Sequence, residues 1–267
     1  MRIKHKAMSA LAALGMLGGF GSAQAVPVAL ELSLVIDVSG SVETSEYNLQ
    51  RLGYRNAFLN AQVQANIASF FSAGGIAVNV IQFSDNAATS IGWTQLDSIA
   101  DINAFAAAIG GMTRLSNGGT DVQDGMAAGI ASFNNNGYEG ARRVIDVSGD
   151  GHQNTDTACT ASGPSYNQAC AVVQAERNLA AAGGITINGL AIEDGTYGAS
   201  GLTNWYNANV RTAGGFVNTA TFATFETAVI NKIGREIVGQ VPEPASLALM
   251  GVALLGMGAA VRRQRKA

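Results

Sequence analysis

The chain has 267 residues, 48% of them apolar and only 13% charged, with 33 glycines. So little charge beside so much apolar content excludes an intrinsically disordered chain and a long charged coiled coil, and the length suffices for one sizeable domain with a real core. Residues 26–241 hold nine basic and eighteen acidic side chains, Lys232 being the only lysine, so the body offers no basic patch to neutralise phosphates and nucleic acid is excluded as a partner.

In chain order, the first predicted element is a leader. Arg2-Ile-Lys-His-Lys6 precedes an apolar run over 7–20 and then Ala23-Gln24-Ala25. This basic, apolar, small-x-small succession predicts a Sec-type signal peptide over 1–25, cleaved after Ala25. The run 30–36 then reads as a buried strand ending at Asp37. A long helix should start near Thr44, with Leu52, Leu59, Val63, Ile67 and Phe70 on one face, and close at Gly74-Gly75. Residues 76–83 read as a second strand and 87–93 as its short hairpin partner. Helices follow over 97–109 and 121–133, then a strand over 143–148 and a helix over 170–182. The body ends with a strand over 185–192, a helix over 203–212, a short strand over 215–219 and a closing helix over 221–238.

Strands separated by helices imply βαβ units. The expected fold is α/β: a Rossmann-like, doubly wound, mostly parallel central sheet with helices on both faces, one domain over 26–240. Ligands of such sheets sit beyond the carboxyl ends of the strands.

The only cysteines, Cys159 and Cys170, are expected to pair in an oxidising compartment. Their C-x10-C spacing is no zinc pattern. The stretch 155–169 that they staple reads as an insertion, serving either partner choice or plain loop stability. Residues 195–205 carry no recognisable partner signature.

The C-terminus, 241–267, has three parts. Pro242-Glu243-Pro244 precedes an uncharged segment over 245–261, and Arg262-Arg263-Gln264-Arg265-Lys266 follows. Seventeen residues of helix reach about 25 Å, the lower limit for crossing a bilayer, and the basic cluster would remain cytoplasmic. This order also resembles the PEP-CTERM sorting signal of Gram-negative bacteria. The resemblance implies a transient membrane anchor, processing by an exosortase, and delivery to the cell surface or extracellular matrix. A plain single-pass anchor is the alternative.

Three predicted strand ends and loops carry oxygen donors: Asp37-Val-Ser39-Gly-Ser41, Gly118-Gly119-Thr120-Asp121, and Gly149-Asp150-Gly151. Two carboxylates and three hydroxyls without soft ligands select hard cations. Taken singly, each could be a helix cap or tight turn. Asp146 lies within a strand and reads as a structural carboxylate, while His152 reads as solvated. Glycines 118 and 119 suit a backbone that approaches an ion closely.

In order and spacing these motifs resemble the metal-ion-dependent adhesion site of von Willebrand factor A (VWA) domains, with all five positions present. The resemblance implies Mg²⁺ or Mn²⁺, with Ca²⁺ as a third option, held by Ser39, Ser41 and Thr120. Asp37 and Asp150 would act through water and outer-shell bonds. Neutral hydroxyl ligands leave the cation electrophilic toward a carboxylate supplied by an acidic protein or polysaccharide. The implied function is non-enzymatic adhesion. A structural matrix protein with a fold-stabilising metal is one alternative. A Mg²⁺-dependent hydrolase is the other, but Ser39 stands where haloacid dehalogenase-type phosphatases place their second Asp, and no G-x-S-x-G or P-loop motif occurs.

Overall fold

The computed structural model describes residues 24–155, 159 and 169–239. The expected leader, apart from its last two residues, and the three-part C-terminus lie outside them. Among the described residues no helix is long and apolar enough to cross a membrane.

The chain opens with β1 (Val26–Val28) and β2 (Leu30–Asp37), then α1 (Thr44–Leu59) and α2 (Ala61–Ala68). Next come β3 (Ile76–Phe83), β4 (Ala87–Leu96), α3 (Ile99–Gly111) and α4 (Val122–Ser132). They are followed by β5 (Tyr138–Gly140), β6 (Arg143–Gly149), α5 (Ala171–Ala182) and β7 (Ile185–Ile192). The body closes with α6 (Gly201–Asn209), β8 (Val217–Ala220) and α7 (Phe225–Val238).

Six strands form the central sheet in the order β4-β3-β2-β6-β7-β8. Every pairing is parallel except β3 with β4, the expected hairpin. A parallel sheet needs cover on both faces, and two apolar clusters supply it. Leu32, Leu34, Val78 and Val80 meet Tyr54, Phe58, Phe105 and Ile233 from α1, α3 and α7. Val35, Ile145, Val147 and Ile187 meet Met126, Val173 and Trp205 from α4, α5 and α6. The sheet is therefore doubly wound, as expected. Strand order reverses at β2, whose neighbours are β3 and β6, so the carboxyl ends of β2 and β6 flank the topological switch point.

The long helix expected from Thr44 onward is in fact two. Asn60 ends α1, and its side chain accepts from the backbone N–H groups of Gln62 and Val63, capping α2. This break shifts the helical phase. Leu52 and Leu59 are 37% and 39% exposed, while Tyr47, Gly53, Tyr54, Ala57 and Phe58 form the buried face of α1. A Cβ at Gly53 would lie 2.7 Å from the Phe225 ring, so close packing against α7 chose that face over the leucines. A second, two-stranded parallel sheet, β1 with β5, was not expected from the sequence.

Asp146 is buried, as read, but it is far from isolated. Lys232 of α7 pairs with both Asp146 and Glu236, and all three side chains are fully buried.

Candidate metal centre

Asp37 is the last residue of β2 and Asp150 the first after β6, so adjacent strands deliver two carboxylates to one edge. The turn after β2 is held from several sides. The Ser39 N–H donates to Asp37 Oδ1 at 2.8 Å, and Gly40 N–H donates to the Gly118 carbonyl at 2.7 Å. The Arg114 guanidinium donates to the carbonyls of Val38, Ser39 and Ser116. Asp121 caps α4 by accepting from Asp124 N–H at 2.9 Å, which fixes Thr120 just before the helix.

The three hydroxyls and one carboxylate form a continuous chain. Thr120 Oγ1 donates to Ser39 Oγ at 3.1 Å, Ser39 and Ser41 hydroxyls lie 3.2 Å apart, and Ser41 Oγ donates to Asp150 Oδ1 at 2.7 Å. All five predicted positions are thus brought together. Asp37, Ser39, Thr120 and Asp150 are buried, and Ser41 opens to solvent.

Burial, reinforced by the charge of Asp150, pushes the Asp37 carboxyl up to about 7, against the bonds from Ser39 and the nearby Arg114. Burial likewise raises Asp150 to about 6, with Asp194 and Glu46 adding to it and the Ser41 bond opposing. Two acids held this far from water are disfavoured as anions, and Arg114 offsets this for Asp37 only in part. Asp37 Oδ2 has no hydrogen-bond partner at all. An orphaned carboxylate oxygen beside three neutral hydroxyls fits a hard divalent cation. Among the described residues no three His, Cys, Asp or Glu side chains gather to hold a metal.

Several residues of the site lie outside the five positions that the resemblance implies, and of them Asn154 stood out in the sequence only as a close follower of Asp150. Asp85, just beyond β3, accepts from Gly119 N–H at 2.5 Å, and a Cβ on Gly118 would overlap its carboxylate. The need for glycine at 118 is therefore set by Asp85 rather than by approach to an ion; as a strand-end acid, Asp85 was findable. Asn154 clamps Thr120, accepting from its N–H at 2.8 Å. Arg114 sits in an unpatterned loop, with no signal in the sequence. His152, expected in solvent, is half-buried, 3.1 Å from the Tyr197 hydroxyl and ring to ring with Trp205. Burial lowers the His152 imidazole and pushes the Tyr197 phenol up to about 12. The 195–205 segment thus lays aromatic rings beside the Asp150 loop. Cys159 and Cys170 form a disulfide, and Cys170 N–H donates to Asn209 at the end of α6.

A doubly wound sheet with this strand order is the VWA fold, and solved structures share it. The vWF domain of the type V pili tip protein Mfa5 from Porphyromonas gingivalis superposes with a TM-score of 0.55 at 13% identity, covering 82% of this chain and 100% of that one. Proximal thread matrix protein 1 from the mussel byssus gives 0.52 at 19% identity, covering 80% and 47%. The same mussel protein with a zinc-occupied MIDAS motif gives 0.50 at 20% identity, covering 78% and 46%. The chain thus spans about half the length of those mussel structures. No curated protein matches the sequence. Residues 27–241 match the family model "Protein of unknown function (DUF1194)", and the chain belongs to that family. Residues 240–266 match the PEP-CTERM protein-sorting motif; the protein is exported and surface-associated.

Proposed function

We propose that this protein is an adhesion-type binding module and not an enzyme. It grips Mg²⁺ or Mn²⁺ at the carboxyl edge of its sheet and presents the ion to an acidic group of a protein or polysaccharide partner. The observation that carries this reading is the hydroxyl chain Thr120–Ser39–Ser41 ending on Asp150, with Asp37 Oδ2 left unpaired beside it. Ser39, Ser41 and Thr120 would hold the cation, which supplies Lewis acidity toward an incoming carboxylate. Asp37 and Asp150 would orient these ligands by hydrogen bonds, and Arg114 and Asn154 fix the loops that carry them. The zinc-occupied motif of the mussel protein supports the reading on the same fold.

The proposed organisation around this module is a leader removed after Ala25, a domain over 26–240, and a tail over 241–267 with a membrane segment at 245–261. An exosortase would remove the tail at the Pro242-Glu243-Pro244 signal, so the intact mass of the surface form should lack residues from about 242 onward.

Calorimetric titration of the exported protein with Mg²⁺ and Mn²⁺ tests the site. Wild type should bind one ion, and Asp37→Ala and Thr120→Ala should each weaken binding by about tenfold or more. Equal affinity in all three would sink the assignment. Chelation separates adhesion from a purely structural metal: EDTA should remove the share of retention on an acidic polysaccharide that Asp37→Ala and Thr120→Ala also remove, while the far-UV circular dichroism stays unchanged.

A further inference from the structure

At the opposite end of β6, about 20 Å from Asp150 at the usual rise per strand residue, lies a second concentration of charge. A cavity of about 380 Å³ opens beside the amino ends of β6 and β7, and Arg142, Arg143 and Arg235 line it. The body holds only eight arginines, and three surround this one hollow. Among the described residues Lys232 alone forms ion pairs, so none of these three guanidiniums is paired; Glu236, which also lines the hollow, is buried and bonded to Lys232 and Asn188.

Each is instead positioned by neutral groups. Arg142 donates to the carbonyls of Glu236 and Ile237 at the end of α7, and burial lowers it from its ordinary value. Arg143 donates to the Gly183 carbonyl. Arg235 lies flat over the Phe216 ring, 3.7 Å from its centroid. Backbone carbonyls and an aromatic face orient a guanidinium without cancelling its charge. Arg142 spends both terminal nitrogens on those carbonyls and contributes charge, while Arg143 and Arg235 keep donors for a carboxylate, and the volume is that of a small-molecule subsite.

We propose that this cavity is a second acid-binding site, independent of the metal centre and at the other pole of the sheet, taking a carboxylate between Arg142, Arg143 and Arg235. With acid-binding sites at both ends, the domain can bridge two strands of an acidic polymer and not merely hold one. A carboxylate has two available sources. One is Glu243 of the chain's own sorting motif, four residues beyond Gly239, which lines the cavity. The other is a uronic acid of an external glycan.

The test titrates the full chain in detergent with oligogalacturonate, in EDTA so that the metal centre is silent, with a neutral oligosaccharide of equal length as control. The expected result is salt-sensitive binding of the uronate alone, unaffected by Asp37→Ala and weakened about tenfold or more by combined Arg142→Gln, Arg143→Gln and Arg235→Gln. Because Arg142 and Arg143 also cap helices, Arg235→Gln alone is the safeguard. Arg235 is exposed and should cost about threefold with near-UV circular dichroism unchanged. Tighter uronate binding in Glu243→Gln would identify the tail as resident occupant; unchanged binding would identify the external acid, and either supports the site. Absence of uronate binding in both wild type and Glu243→Gln, or full binding by the folded arginine variants, overturns it.

Discussion

The Ser41 hydroxyl donates to Asp150 Oδ1 at 2.7 Å across 109 residues of sequence. That single bond joins the turn after β2 to the loop after β6. It can form only because those strands are parallel neighbours ending at the same edge. The candidate centre is therefore a property of the sheet order: a slip of either strand would part the hydroxyl from the acid.

Gly149 is the tightest point beneath this bond. A Cβ there would come within 2.7 Å of both Asp37 Oδ2 and the Tyr206 hydroxyl. Gly149→Ala is expected to cost about 1–3 kcal/mol in urea unfolding, as overpacking does, and to weaken Mn²⁺ binding by displacing Asp37. The Tyr206 hydroxyl is buried without a partner. Tyr206→Phe should be neutral or slightly stabilising, and in the Gly149→Ala background it should recover part of the loss.

Arg114 holds the metal turn by its backbone. Its removal leaves the Val38 and Ser39 carbonyls without these donors, so Arg114→Ala should destabilise by about 1–3 kcal/mol and lower Mn²⁺ affinity. A lysine cannot reproduce the planar fork. Arg114→Lys should therefore keep more stability than Ala yet fall short of wild-type affinity in calorimetry.

In the buried trio, one ammonium faces two acids. Burial and the charge of Asp146 push Glu236 up to about 8, against the opposing effect of Lys232. A raised acid binds its proton more tightly in the folded state. Its contribution to stability is whole below its unfolded value near 4.5 and is lost as pH rises through about 8. Glu236→Gln should accordingly flatten stability between these limits and surpass wild type at the alkaline end. Subtracting the two profiles isolates Glu236 from Asp37 and Asp150, whose raised values act with the same sign. Lys232→Met, which leaves two acids uncompensated, should cost about 3–5 kcal/mol.

The Cys159–Cys170 bridge spans 11 positions. Closing so short a loop contributes about 3 kcal/mol in the chain-entropy account. Replacing both cysteines by serine should lower the unfolding free energy by that order, and reductant should do the same to wild type but nothing to the double variant.

The buried strands were legible nearly to the residue. Runs such as LELSLVID and IAVNVIQF have no solvent face, so composition and length suffice to mark them. The donors at their ends were legible for a related reason, because a parallel sheet exposes its chemistry where strands stop. The helices were less so. The apolar spacing through Leu52 and Leu59 ignored the capping side chain of Asn60, and a repeat read across a break selects the wrong face. β1 and β5 were invisible because three-residue strands exist only where distant segments happen to meet.

By itself, the amino-acid sequence determined an α/β sheet, an exported chain with a sorting signal, and which oxygen donors crowd the strand termini, because periodicity, the composition of the sorting motif and strand ends are local properties. Tertiary structure alone decided which face of α1 is buried, that Arg114, Asn154 and Asp85 brace the turns, and that three arginines ring a cavity at the far pole. Those outcomes depend on contacts between segments many residues apart, and such contacts follow from strand order and close packing, not from any neighbourhood along the chain.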